Sequence, residues 1–230
     1  MSRTLAEVAA EATDCTKCRL AEGRTQVVFG VGDPDADVMF IGEAPGFHED
    51  KQGEPFVGAA GQLLTRMLSE ILDVHREDVY IANVLMCRPP GNRDPQEDEI
   101  ESCTPWLVEK LSLIQPRIVV TLGNFATKFV LQTQQGITRM RGRAYPWHGR
   151  TVIPTFHPAA ILRGGGDTSR QFGEFREDFE LIRDTLAQPR ERSEPQEQPS
   201  PQGRTEPEGQ SQPVRVPEAE PVPEEQLELF

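Results

Sequence analysis

The sequence predicts an α/β domain of three layers, α/β/α, with a central four-stranded parallel sheet and a disordered C-terminal tail. Over residues 1–188, four short β-branched runs alternate with longer segments of helical apolar periodicity. Such alternation gives parallel strands whose connecting helices cover both faces. From residue 189 onward the chain holds nine Pro, ten Glu and six Gln, with Phe230 as its one aromatic. That mixture buries too little apolar area to offset the entropy of ordering. The first 188 residues suffice for one domain.

The strands are expected at 37–43 (DVMFIGE), 79–84 (VYIANV), 117–123 (RIVVTLG) and 151–156 (TVIPTF), each rich in β-formers and bounded by turn residues. Helices are expected at 60–72, 96–113 and 124–132 between them, and an amphipathic helix at 172–186 closes the domain. Open α/β sheets bind ligands at the carboxyl ends of their strands. Three segments begin there: the acidic, Gly/Pro-punctuated loop GEAPGFHEDKQGEPFVG from Gly42, NVLMCRPPGNRDP from Asn83, and HPAAILR from His157. Glycines let backbone approach a ligand closely, and Glu43, Glu49, Asp50 and Phe56 supply groups able to read a flat polar one.

The formal net charge of -13 argues at first against a nucleic-acid partner. Its distribution argues the other way. Residues 110–166 contain no acid and eight bases: Lys110, Arg117, Lys128, Arg139, Arg141, Arg143, Arg150 and Arg163. Brought to one face, part of this stretch is the footprint that phosphates require. The start of the chain lacks the apolar region of a signal peptide, and no run reaches the length of a membrane span. A cytoplasmic protein with no membrane partner is expected.

Cys15 and Cys18 form a C-x-x-C, and Cys87 and Cys103 are the only other cysteines. In a cytoplasmic chain this arrangement points to a metal site more than to disulfides. Four thiolates hold a tetrahedral zinc or a 4Fe-4S cluster, and spacing alone does not choose.

The three strand-end segments, in this order, resemble the three motifs of the type 4 uracil-DNA glycosylases, the iron-sulfur branch of the uracil-DNA glycosylase superfamily. The similarity extends over about residues 4–187. It implies hydrolysis of the N-glycosidic bond of a flipped deoxyuridine in DNA, leaving an abasic site, with uracil-containing DNA as partner. It also assigns Cys15, Cys18, Cys87 and Cys103 to a 4Fe-4S cluster, a structural clip rather than a catalyst. By the same resemblance Phe56 stacks on the base, Asn83 reads its polar edge, and His157 donates to uracil O2 as negative charge develops. Glu43, Ala44, Pro45 and Glu49 complete the uracil pocket, with Glu49 near the C5 edge as a check on the thymine methyl.

Ala44 stands where better-known branches carry an Asp that orients the attacking water. Glu43 or Glu49 supplies a carboxylate by another route, or backbone and His157 hold the water. Met86 departs from the lysine usual beside the cluster ligand, which predicts one weakened phosphate contact. No histidine lies in 139–143, unlike the subgroup that traps uracil-DNA covalently. Arg163, Arg139, Arg141 and Arg143 are the expected DNA contacts, Arg163 on a loop that enters the duplex. The rival readings are a non-catalytic iron-sulfur DNA-binding or polymerase-associated module and an electron carrier. Both leave the strand-end motifs idle.

The tail divides into a linker, 189–225, and a terminal QLELF. Gln226, Leu227, Leu229 and Phe230 resemble the short motif by which bacterial repair proteins dock on the sliding clamp. An extended peptide of this kind buries its apolar side chains in a groove. A nucleoid-associated monomer with the clamp as second partner is the resulting expectation.

Overall fold

The computed structural model describes residues 3–189; the expectations for residues 190–230, nearly all the linker and the whole terminal motif, lie outside them. The elements run α1 (Leu5–Thr13), β1 (Val31–Gly32), β2 (Val38–Gly42), α2 (Phe47–Gln52), α3 (Ala59–Met67), β3 (Tyr80–Asn83), α4 (Glu97–Ile114) and β4 (Ile118–Leu122). They continue with α5 (Asn124–Leu131), α6 (Ile137–Met140), β5 (Tyr145–Trp147), β6 (Arg150–Thr155), α7 (Pro158–Arg163) and α8 (Arg170–Leu186).

The sheet has six strands, in the order β1-β3-β2-β4-β6-β5. The four expected strands form its parallel centre, and β1 and β5 add antiparallel edges. These edges hold two and three residues. They are too short to show a periodicity in sequence, and short edge strands protect a sheet from pairing with other chains. All residues of β2, β3 and β4 are buried, as strands covered on both faces must be.

Side chains alternate across the pleat. Phe40, Ile81, Val120 and Ile153 pack with Leu64, Met67, Ile161, Phe175 and Phe179 from α3, α7 and α8 on one face. Met39, Ile41, Ala82 and Val119 pack with Leu107, Leu111, Ala126 and Val130 from α4 and α5 on the other. A third cluster joins Val8 and Ala12 of α1 to Leu85, Met86, Trp106 and the cysteines.

The structure shortens one expected helix: α3 ends at Met67, and Leu68–Leu72 continues as a π turn. It also adds α1, capped by Thr4 and Glu7 in a reciprocal capping box. The segment expected as a loop at HPAAILR is helix α7, with His157 as N-cap and Pro158 in the first turn.

Several of the eight bases of residues 110–166 are committed to the fold. Lys110 is fully buried, its ammonium bonded to the Phe29 carbonyl and 4.2 Å from that ring's centre. Arg117 donates to the Gln188 carbonyl at 2.8 Å and Arg150 to that of Leu111 at 3.0 Å. Arg141, expected on DNA, instead grips fully buried Asp178 through two hydrogen bonds of 3.0 and 2.7 Å. Thr155 donates to the same carboxylate at 2.6 Å. The expected phosphate footprint is therefore narrower than the run of bases suggests.

Removing one partner of a buried ion pair strands the other, at a cost of roughly 3–5 kcal/mol. Arg141→Ala is expected to lower stability by that amount, read as a fall in the urea midpoint, whereas Arg139→Ala at an exposed position should leave the midpoint in place. Equal midpoints for both variants would remove Arg141 from the fold's support.

Candidate active site and cysteine centre

The four parallel strands end side by side along one edge of the sheet, and a cleft of about 1100 Å³ opens there. Gly42 and Asn83 are direct partners at the ends of β2 and β3. A Cβ on Gly42 would stand 2.3 Å from Asn83 Oδ1 and 2.7 Å from Phe56 Cζ, so only glycine lets both side chains rest on this backbone. Asn83 is largely buried but lines the cleft. Among the described residues its carboxamide makes no hydrogen bond, and its polar atoms open to the cleft, where a ligand can reach them.

Phe56 has φ 54°, an uncommon conformation for an aromatic residue. The surroundings hold it there. Its carbonyl oxygen lies where a Cβ on Gly61 would come within 1.6 Å, so α3 can begin under Phe56 only because residue 61 has no side chain. Its ring stacks on the His157 imidazole, with centroids 5.5 Å apart and planes at 29°. Glu49 on α2 clamps the same turn, its Oε1 accepting from the amides of Val57 at 3.1 Å and Gly58 at 3.2 Å. Gly58 is the N-cap of α3, so Glu49 fixes the turn that leads into the helix and sets a carboxylate near its positive end.

His157 follows β6, and its Nδ1 accepts from the Ala159 amide at 3.1 Å. That bond assigns the ring proton to Nε2. Burial, helped by the charge of Arg163 and opposed by Glu49, pulls the imidazole down to about 4. It is a neutral donor at pH 7. Burial, reinforced by Asp94, pushes the Glu43 carboxyl up. Glu43, Ala44, Pro45, Glu49, Asp94, Lys128 and Arg163 all line the cleft.

Because the folded state depresses this pKa below the ordinary 6.5, the unfolded chain binds more protons between the two values. The stability contributed by neutral His157 is complete above about pH 6.5 and is lost as pH falls toward 4. Over pH 5.5–8 the imidazole nitrogen shifts should be flat, and a titration centred near 6.5 would overturn the neutral-donor assignment.

The second centre lies between α1, the chain after β3, and α4. Cys15, Cys18, Cys87 and Cys103 line one small pocket. Arg24 ties two ligand-bearing segments together, donating to the Cys15 carbonyl at 2.6 Å and to Cys87 Sγ at 3.5 Å. The Met86 amide donates to Cys103 Sγ at 3.4 Å. Burial raises the Cys87 thiol to about 11 against the pull of Arg24, and raises Cys103 as well. Ligation there must displace protons.

Trp106, one turn along α4 from Cys103, has a buried Nε1-H with no partner. Among the described residues no three His, Cys, Asp or Glu side chains stand close enough to hold one metal ion. Four thiols lining one pocket are a donor set that either a zinc ion or a 4Fe-4S cluster can take.

The sequence model of the Uracil DNA glycosylase superfamily matches residues 29–180. The chain belongs to this superfamily. It is 46% identical over 195 residues to the type-4 uracil-DNA glycosylase of Sulfurisphaera tokodaii, covering 81% of this chain and 87% of that one. The type-4 enzyme of Saccharolobus solfataricus is 47% identical over 163 residues, 67% of this chain and 76% of its own. That of Archaeoglobus fulgidus is 47% identical over 167 residues, 69% and 83% respectively.

Within this superfamily frame the fold gathers Phe56, Asn83, His157, Glu43 and Glu49 at one cleft. It leaves Arg139 and Arg143 exposed outside the cleft lining, and Arg141 is withdrawn into the ion pair with Asp178. Met86 is buried in the apolar cluster that includes the cysteines. Sequence reasoning missed Asp94, which sits in the second motif, and Lys128, which sits in the acid-free stretch and faces the cleft.

Proposed function

We propose that this protein excises uracil from DNA by hydrolysing the N-glycosidic bond of a flipped deoxyuridine, leaving an abasic site. The observation that carries this reading is the convergence of an aromatic ring, an unpartnered amide and a neutral imidazole donor at one cleft. The names of the type-4 relatives support the same reading.

Uracil inside a duplex is hidden in the stack, so the nucleotide must leave it for a pocket. As the bond breaks, negative charge grows on the base, and a fixed donor lowers that barrier without reorganisation. His157 Nε2-H supplies this donor toward O2. The Asn83 amide accepts from N3-H and donates to O4, and Phe56 gives the base a stacking surface. Glu49, locked onto the turn before α3, closes the C5 edge where thymine carries its methyl. Glu43 is the best-placed carboxylate for the attacking water, since Glu49 already spends one oxygen on two amides. Ala44 and Pro45 shape the pocket wall. Arg163, with Arg139 and Arg143, contributes phosphate contacts, and Arg141 acts only through the fold.

Cys15, Cys18, Cys87 and Cys103 would hold a 4Fe-4S cluster that ties the N-terminal segment to α4. Incubation with a uracil-containing oligonucleotide followed by alkali tests the activity. Uncut strands after prolonged incubation with iron-replete protein would leave the non-catalytic reading in its place.

Gln226, Leu227, Leu229 and Phe230 would dock on a bacterial sliding clamp, with the 37 residues 189–225 between them and the domain. Docking raises the local concentration of enzyme at DNA. Deleting residues 226–230 is expected to abolish clamp binding in fluorescence anisotropy and leave excision from a short oligonucleotide unchanged. Equal clamp affinity with and without them would discard this assignment.

A further inference from the structure

Phe47 opens α2, the residue after cleft-lining Gly46, yet its side chain is 51% exposed and takes no part in the core. Two cations attend it. The Arg88 guanidinium lies 5.2 Å from the ring centre and the Lys51 ammonium 6.0 Å. Neither forms a salt bridge among the described residues. Arg88 is also held from the other side, its Nε donating to Asn92 Oδ1 at 2.7 Å, and Asn92 lines the cleft. A connected path therefore runs from the cleft lip to an exposed aromatic ring with two free positive charges.

The charge around it says what it serves. The cleft carries Glu43, Glu49 and Asp94, and the chain as a whole is strongly acidic. A polyanion reaching this cleft needs cations near the acidic lip, and Arg163 and Lys128 come from other elements, α7 and α5. An aromatic face with adjacent cations is the arrangement that takes an unstacked base and its phosphate.

We infer that Phe47, Arg88 and Lys51 form a second nucleotide site, which stacks a base flanking the excised one and neutralises its phosphate. This rests on the uracil-excision reading for the identity of the strand. Its test is binding, which separates the two. Wild type, Phe47→Ala, Arg88→Gln and Lys51→Gln would be titrated with single strands containing a non-cleavable abasic analogue and 2-aminopurine on one side or the other.

The wild type should change 2-aminopurine fluorescence at one flank only. Phe47→Ala should abolish that change and weaken binding roughly tenfold, the loss expected for one stacked base. Its excision rate at saturating enzyme should match the wild type. Arg88→Gln and Lys51→Gln should each flatten the dependence of log affinity on log salt by roughly 0.7, one phosphate contact on a single strand. Lys51 is remote in sequence from the cysteines, so its variant keeps the salt test clean if Arg88→Gln disturbs the centre beside Cys87.

Unchanged affinity and fluorescence in Phe47→Ala would overturn the proposal. So would a concentration-dependent dimer of the wild type that Phe47→Ala dissolves while DNA binding stays the same, which would make the ring a contact between copies. Flank-specific stacking by a wild type that fails to release uracil would uphold this site and refute the excision reading alone.

Discussion

Asn83→Asp is expected to lower single-turnover excision of uracil by roughly 10² or more, the loss that follows removal of a polar reader from a closed site. The residue is 2% exposed and its side chain has no hydrogen bond among the described residues, so its amide is available to a ligand. Asp keeps the shape and exchanges the NH2 donor for an acceptor. Uracil O4 then faces an acceptor, whereas cytosine presents an amino group there. The variant should therefore gain some release of cytosine as it loses uracil. The fold should persist, because the Asn83 side chain makes no hydrogen bond among the described residues and the substitution leaves its backbone pairing in the sheet intact. Wild-type uracil rates in a folded Asp variant would remove Asn83 from base recognition.

Cys103→Ser is expected to bleach a brown protein, lower its iron from about four per chain, and cost several kcal/mol of stability. For a domain of this size that is a fall in Tm on the order of 10 °C. The effect should be large because the four sulfurs belong to three segments. Cys15 and Cys18 follow α1, Cys87 follows β3, and Cys103 lies within α4. Without the clip these segments hold together through the third apolar cluster, the Arg24 bridge, the Met86 amide on Cys103, and the surface ion pairs Arg3–Glu109 and Arg19–Asp98. The other three cysteines should give the same result. Stoichiometric zinc and no iron after anaerobic purification would refute the choice of metal.

The parallel centre of the sheet was legible because its strands are buried on both faces, which leaves continuous apolar runs such as VMFIG and IVVTL in the sequence. The strand-end loops were legible for a related reason: close approach to a ligand demands glycine, and Gly42 and Gly61 stand where a Cβ would strike Asn83 or Phe56. Edge strands of two and three residues left no such trace, and helix α7 of six residues was taken for a loop.

Local residue choice thus determined the sheet's centre, the three motifs and the four thiols, since each depends on burial, backbone freedom or donor chemistry at its own position. Tertiary structure decided how the charges are used. Arg141 pairs with Asp178 37 residues away, Lys110 reaches Phe29 81 residues back, and Met86 packs in the apolar cluster that includes the cysteines. It also fixed the imidazole as a neutral donor, through the Ala159 amide and the burial around it. A basic run reads the same in sequence whether its side chains face phosphate or carboxylate. Only the packing of distant segments sets the dielectric and the partner of each charge, and with them what that charge does.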